Sequence, residues 1–284
     1  MGIVHLSLLR GVCQLPGYVA HAKGIFRQHG LDVQVSVAPT AWTVPERLIR
    51  GEVQFAVMPW TRVVGASAKG EPLVLICGSG SEEAAIVVRA GLSISDVKKV
   101  AIPQRGGIKD LTAMGLMQSL GWSGVDLVRM PSGDGAILSL VGEGADAASM
   151  VEPYATMLQE LGIGQVVRRT GDLWRGAPGC SLTTTTHLIA DRPELVQRMV
   201  DAYVEGAKYV EQNPEEAAAI GGEYIGVNAR FVRSALRSNR PNIHALEQTE
   251  SMNSIIALMM QMDYLDQHPG CCYYDQRFLA KALG

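Results

Sequence analysis

Apolar residues fall in short runs through the first two-thirds of the chain: Ile3–Leu9, Val33–Val37, Phe55–Met58, Leu73–Cys77, Val100–Ile102, Leu127–Met130, Ala147–Val151 and Gln165–Val167. Between them lie longer segments of helical character, among them Tyr18–His29 and Ile108–Leu120. Strand-helix alternation of this kind predicts an α/β fold with a mostly parallel sheet covered by helices. Thr183–Thr186 alternates as a further strand. After about residue 190 the pattern becomes helical throughout. Asp191-Arg-Pro-Glu194 resembles a capping box with proline in the first turn, and Leu195, Met199, Tyr203, Gly206 and Val210 then recur every three or four residues until Asn213-Pro214. Further helices are expected over Pro214–Ile220, Ala229–Arg237, Thr249–Tyr264 and Asp275–Ala282.

An internal echo runs through the pattern. Leu48-Ile-Arg-Gly51-Glu-Val-Gln54 leads into the strand Phe55–Met58 and then Pro59-Trp60-Thr61. Val141-Gly-Glu-Gly144-Ala-Asp146 leads into Ala147–Val151 and then Glu152-Pro153-Tyr154. Both read helix, glycine turn, strand, then a proline-aromatic helix start. Proline favours the first helical turn in any case. The stronger reading is two similar α/β lobes, each placing a helix N-terminus beyond the carboxyl end of a strand, where ligands of open α/β sheets collect.

Composition narrows the function. Of 284 residues, 47% are hydrophobic and 19% charged, so a buried core is affordable, and the length suits two lobes. The net charge of −3 and the scattered basic residues argue against nucleic acid. No apolar run approaches the roughly 20 residues that span a bilayer. The first ten residues read as a strand and not as a secretory leader, and five cysteines, including Cys271-Cys272, do not form an evident disulfide framework. As written the chain is therefore expected in the cytoplasm, or outside it if a leader has been trimmed.

Candidate chemistry clusters at the strand-to-helix junctions. The first offers Arg10, Cys13, Gln14 and Tyr18; the second Trp42 and Thr43; the third Trp60 and Thr61, with Arg62 expected to face solvent. Loop tryptophans suit a flat or apolar ligand body. In the second half Gln104, Arg105, Gly106 and Gly107 offer an anion partner and closely approachable backbone, while Glu152, Tyr154 and Cys180 border the same region. No GxxxxGK[ST] or GxGxxG motif follows a strand, so nucleotide binding is not expected. The histidines are dispersed and Cys271-Cys272 are vicinal, so neither a metal nor a cofactor is expected. Cys13 as a nucleophile needs a base, for which His21 is the nearest candidate in sequence.

Taken together, Gly17-Tyr-Val-Ala-His-Ala-Lys-Gly24-Ile-Phe…Gly30-Leu-Asp-Val33, Gly51-Glu-Val-Gln-Phe-Ala-Val57, Pro103…Arg105-Gly-Gly107, Val151-Glu-Pro-Tyr-Ala155 and Asp191-Arg-Pro-Glu-Leu-Val196 resemble the substrate-binding proteins of ABC importers for nitrate, taurine, aliphatic sulfonates and thiamine-pyrimidine precursors. The likeness covers residues 3 to about 215. It implies the type II periplasmic-binding fold, with one lobe from residues 1–88 and 181–284 and the other from 89–180. It further implies hinges near Ser81–Val88 and Ala177–Thr183, a small polar or anionic organic ligand between the lobes, and a transporter permease as partner. The ligand's anionic end is expected at the helix starts near Thr61, Gly107 and Pro153, under Tyr18, Trp42 and Trp60. The same fold serves cytoplasmic enzymes. The reactive lysine and histidine of the pyrimidine-phosphate synthases fall at Ala56 and Trp60 here, and their cysteine-rich run is reduced to Gly179-Cys180-Ser181. A decarboxylase- or desulfinase-like enzyme using Cys13 is the remaining alternative.

Overall fold

A computed structural model describes residues 2–103, 108–130, 133–270 and 272–284, with backbone alone for 108–109 and 133–134. Its strands are β1 (Val4–Leu8), β2 (Val33–Val37), β3 (Phe55–Pro59), β4 (Leu73–Gly78), β5 (Ala84–Arg89), β6 (Lys99–Pro103), β7 (Asp126–Met130), β8 (Ala147–Val151), β9 (Gly164–Arg169) and β10 (Cys180–Thr185). The helices among them are α1 (Leu15–Ala22), α2 (Ile25–Gln28), α3 (Val44–Ile49), α4 (Trp60–Ala68), α5 (Ile108–Ser119), α6 (Gly133–Val141) and α7 (Tyr154–Glu160). Past β10 come α8 (Thr186–Asp191), α9 (Pro193–Gln212), α10 (Pro214–Ile225), α11 (Ala229–Ala235), α12 (Thr249–Gln261) and α13 (Arg277–Leu283).

The strands form two five-stranded sheets, ordered β2-β1-β3-β10-β4 and β7-β6-β8-β5-β9. Neither is wholly parallel. β10 runs antiparallel between β3 and β4, and β5 runs antiparallel between β8 and β9, while β1, β2 and β3, and likewise β6, β7 and β8, pair in parallel. The odd strand of each sheet is the one that has just crossed from the other lobe. It enters from the far end and must run against its neighbours. The second sheet begins at Ala84, so the expected division after residue 88 falls inside β5.

The two crossovers pair with each other. Gly179 donates its backbone N–H to Gly80 at 2.8 Å, Gly80 donates to Cys180 at 3.1 Å, and Glu82 donates to Ala177 at 2.9 Å. The crossovers thus form a short antiparallel ribbon in which these backbone groups satisfy one another. Side chains alternate across the second sheet as the pleat requires. Ile86, Val88, Val100, Ile102 and Ala147 enter one core with Leu116 and Trp122. Ala85, Val87, Ala101 and Ala148 face the other way, into a core continuous with the first lobe.

Several local expectations are corrected. The single helix over Tyr18–His29 starts at Leu15 and breaks at Gly24, whose φ of 70° only glycine adopts cheaply. The capping box at Asp191 does not form, because Asp191 ends α8 and the N-cap of α9 is Arg192, without a side-chain bond. α9 does stop before Asn213-Pro214. Its buried stripe is Leu195, Met199, Tyr203, Gly206 and Val210, and the helix packs against α1. A Cβ on Gly206 would sit 2.4 Å from the Pro16 carbonyl, so glycine is what lets the two helices touch.

Candidate functional site

The turn after β1 meets the carboxyl end of β8 across the lobe junction. Val12, in the turn after β1, donates its backbone N–H to the Glu152 carbonyl, just past β8, at 3.1 Å. α4 packs against α5, and Trp60 donates its backbone N–H to the crossover carbonyl of Gly179 at 3.1 Å. The first turns of helices from both lobes therefore converge beside the ribbon, where helix N–H groups and dipoles favour negative charge.

Thr61 and Trp60 occupy the first turn of α4. Both are buried, at 1% and 0% exposure, and Thr61 Oγ1 and Trp60 Nε1 have no hydrogen-bond partner among the described residues. Buried polar groups are ordinarily paired, so two orphans in one helical turn mark a place where a partner is missing. Trp60 is not the open stacking surface expected, since it is wholly buried in the core that both lobes share. Trp42 is 44% exposed and carries the Arg62 guanidinium 4.1 Å above its ring. Arg62 is accordingly not a solvent-facing residue. Burial lowers its pKa, and the charge of Asp110 on α5 counters that. Asp110 is wholly buried, paired with Arg129 and accepting from Tyr264. This cationic link from the first lobe to the second carried no motif in the sequence.

The other expected residues are held more tightly than ligand binding would suggest. Gln14 is enclosed, its Oε1 accepting from Leu9 N at 3.1 Å and its Nε2 donating to Cys13 Sγ at 3.2 Å. Tyr18 donates to the Leu9 carbonyl and stacks on Tyr224 with ring centroids 4.6 Å apart. Glu152 is tied to Arg169 at 2.7 Å and accepts from Thr156 N at 3.0 Å, so its carboxylate caps α7. Tyr154 is buried beside it, Arg10 and Thr43 are exposed, and Thr43 makes no capping bond to α3. Gln104, Arg105, Gly106 and Gly107 lie outside the described residues.

Cys13 and Cys180 come together with Glu83, a residue sequence reasoning passed over as part of a linker. Their sulfurs and carboxylate oxygen lie within 4.8 Å of one another, all buried, and they form the described cluster able to hold a metal ion. Glu83 Oε1 accepts the Cys180 N–H at 2.7 Å. Burial pushes the Cys13 thiol up, a hydrogen bond with Cys180 works against that, and the Glu83 charge adds to the rise. A nucleophilic cysteine needs the opposite shift. His21, its candidate base, is exposed and bonded to the Tyr224 hydroxyl at 2.6 Å. The geometry gives Cys13 no catalytic partner of the expected kind.

Two lobes joined by paired crossovers, with helix starts meeting at the junction, define the fold of the periplasmic binding proteins. It is shared with the ligand-binding component of an ABC-type import system from Staphylococcus aureus, solved with zinc bound (TM-score 0.87, 14% identity, 99% of each chain). It is shared too with the periplasmic nitrate-binding protein of Synechocystis PCC 6803 (0.85, 14%, 99% of this chain and 88% of that one). The alkanesulfonate-binding protein of Xanthomonas axonopodis pv. citri bound to MOPS matches similarly (0.80, 13%, 99% and 98%). The chain belongs to the NMT1-like family, whose model matches residues 3–222. No curated protein sequence matches it. No helix among the described residues is long and apolar enough to cross a membrane.

Proposed function

We propose that this chain is a solute-binding protein that closes its two lobes on one small organic anion, in the service of an ABC importer. The carrying observation is the pair of buried polar atoms in the first turn of α4, Thr61 Oγ1 and Trp60 Nε1, that have no partner among the described residues. They offer a hydroxyl and an indole N–H beside a helix N-terminus, and the Arg62 cation lies in the next position. That donor set suits an anionic oxygen group. The nitrate- and alkanesulfonate-binding proteins of the same fold favour the same ligand class. Closure about the Gly80–Gly179 ribbon is the motion this architecture supports.

The test is thermal unfolding of protein refolded from denaturant, so that any retained solute is gone, against a library of sulfonates, carboxylates, pyrimidines and aromatic acids. A ligand at 100 times its dissociation constant stabilises by about 2.7 kcal/mol. Thr61→Val should weaken the successful ligand at least about tenfold, since a hydrogen bond to a charged group contributes about 1.5–3 kcal/mol. A folded protein that no library member stabilises would overturn the reading.

A further inference from the structure

Three ligand atoms meet where both crossovers touch the loop after β1. Cys13 comes from that loop, Glu83 from the outgoing crossover and Cys180 from the start of the returning strand. Their exposures are 6%, 7% and 1%, and their donor atoms lie within 4.8 Å of one another. The backbone around them has been cleared of side chains. A Cβ on Gly179 would stand 2.2 Å from Glu83 Cδ, and one on Gly80 would stand 2.3 Å from Glu83 Oε1 and 2.6 Å from Cys13 Cβ. A buried carboxylate is costly unless it is paired or bound to a metal. The partners of Glu83 among the described residues are the Cys180 N–H and the Cys13 thiol, with no basic side chain.

We propose that Cys13, Glu83 and Cys180 form a buried site for one thiophilic divalent cation of the zinc type, which staples the loop after β1 to both crossovers. Two sulfurs and one oxygen suit such an ion and not magnesium or calcium, which take oxygen ligands. With Zn–S near 2.3 Å and Zn–O near 2.0–2.2 Å, tetrahedral sulfurs stand about 3.8 Å apart, so the cluster must contract by about 1 Å at most. On binding, two S–Zn bonds and one O–Zn bond form, the two thiol protons leave to solvent, and the fourth position goes to water. Two positive charges arrive and two protons leave, so the net charge of the cluster does not change. The Gln14 amide, already 3.2 Å from Cys13 Sγ, supplies an outer hydrogen bond that orients the sulfur. The site needs no solute and stands even if the importer reading fails.

The experiment is titration of chelator-treated protein, kept reduced with a phosphine, with Zn²⁺ and separately with Mg²⁺, read by native mass spectrometry and thermal unfolding. One zinc per chain is expected, with release of about two protons and a melting temperature raised by about 5 °C at 100 times the dissociation constant. Magnesium should do neither. Cys13→Ser, Cys180→Ser and Glu83→Gln should each weaken binding at least about tenfold, while the double variant Cys271→Ser/Cys272→Ser keeps it. Retention of zinc by the cluster variants, with its loss from the Cys271/Cys272 variant, would overturn the assignment, as would no binding at micromolar zinc. Cobalt substitution of the unmutated chain covers any variant that fails to fold: a thiolate-to-cobalt charge-transfer band supports the site, and its absence sinks it.

Discussion

Ser79 holds together three elements that are distant in sequence, and its removal should cost more than the loss of one hydroxyl suggests. Its Oγ donates to the Cys13 carbonyl and lies 2.5 Å from the Tyr203 hydroxyl, so a chain runs from Tyr203 O–H to Ser79 Oγ and on to Cys13. Ser79 has one proton, and because Cys13 takes it Tyr203 must be the donor in the other bond. Both side chains are wholly buried, and burial raises the Tyr203 pKa well above the usual phenol value despite the Ser79 hydrogen bond. Ser79→Ala deletes two hydrogen bonds at about 0.5–1.5 kcal/mol each and strands the Tyr203 hydroxyl, for a loss of about 2–4 kcal/mol. Tyr203→Phe removes the donor itself and strands nothing that Ser79 cannot still satisfy through Cys13, so it costs about 0.5–1.5 kcal/mol. In the double variant no hydroxyl is left stranded, and its loss should fall short of the sum of the singles by about 1 kcal/mol. Equilibrium urea unfolding of the four proteins measures the cycle. Losses that add to within about 0.3 kcal/mol, or a Ser79→Ala loss below about 1 kcal/mol, would refute the relay.

Other consequences are as direct. Gly206→Ala drives a Cβ to within 2.4 Å of the Pro16 carbonyl and should destabilise by about 1–3 kcal/mol, whereas Gly65→Ala, in the open on α4, should stabilise by about 0.5–1 kcal/mol; opposite shifts in melting temperature are the check. Burial works to raise the Asp146 carboxyl, but the backbone N–H groups of Lys98 and Lys99 and the Arg89 guanidinium outweigh it and hold the pKa below the ordinary 3.8. The stability this gives is intact above 3.8 and lost as pH falls through the lower folded value. The advantage of the wild type over Asp146→Asn should therefore shrink between pH 5 and pH 3 in thermal unfolding, and an advantage that grows on acidification would contradict it. Cys13 and Cys77 are buried with raised pKa values, while Cys272 is exposed. Brief alkylation of native, metal-free protein should label Cys272 first and spare Cys13 and Cys77 until the chain unfolds, as peptide mapping would report.

The strand-helix rhythm and the proline-aromatic echo of Trp60 and Tyr154 are local patterns, and the sequence displays them because pleat and helix periods act on neighbours. The direction of β5 and β10 is not local. Ala84–Val88 is an apolar run like the others, and only the path of the chain between lobes makes it antiparallel. The same limit governs the site. A tryptophan just past a strand end reads alike whether its ring enters the core, as Trp60 does, or stands open, as Trp42 does. Gln14 and Tyr18 were legible as residues of the junction, yet their polar atoms satisfy Leu9 and Cys13 nearby. Glu83 left no sequence signal, because one carboxylate in Ser81-Glu-Glu-Ala84 resembles any solvated linker. Its burial follows from Gly80 and Gly179, nearly a hundred positions apart and joined only when the crossovers pair. Where two distant segments must cross, the glycines that clear space and the charge that fills it are chosen together, and a reading of either segment alone cannot recover the pair.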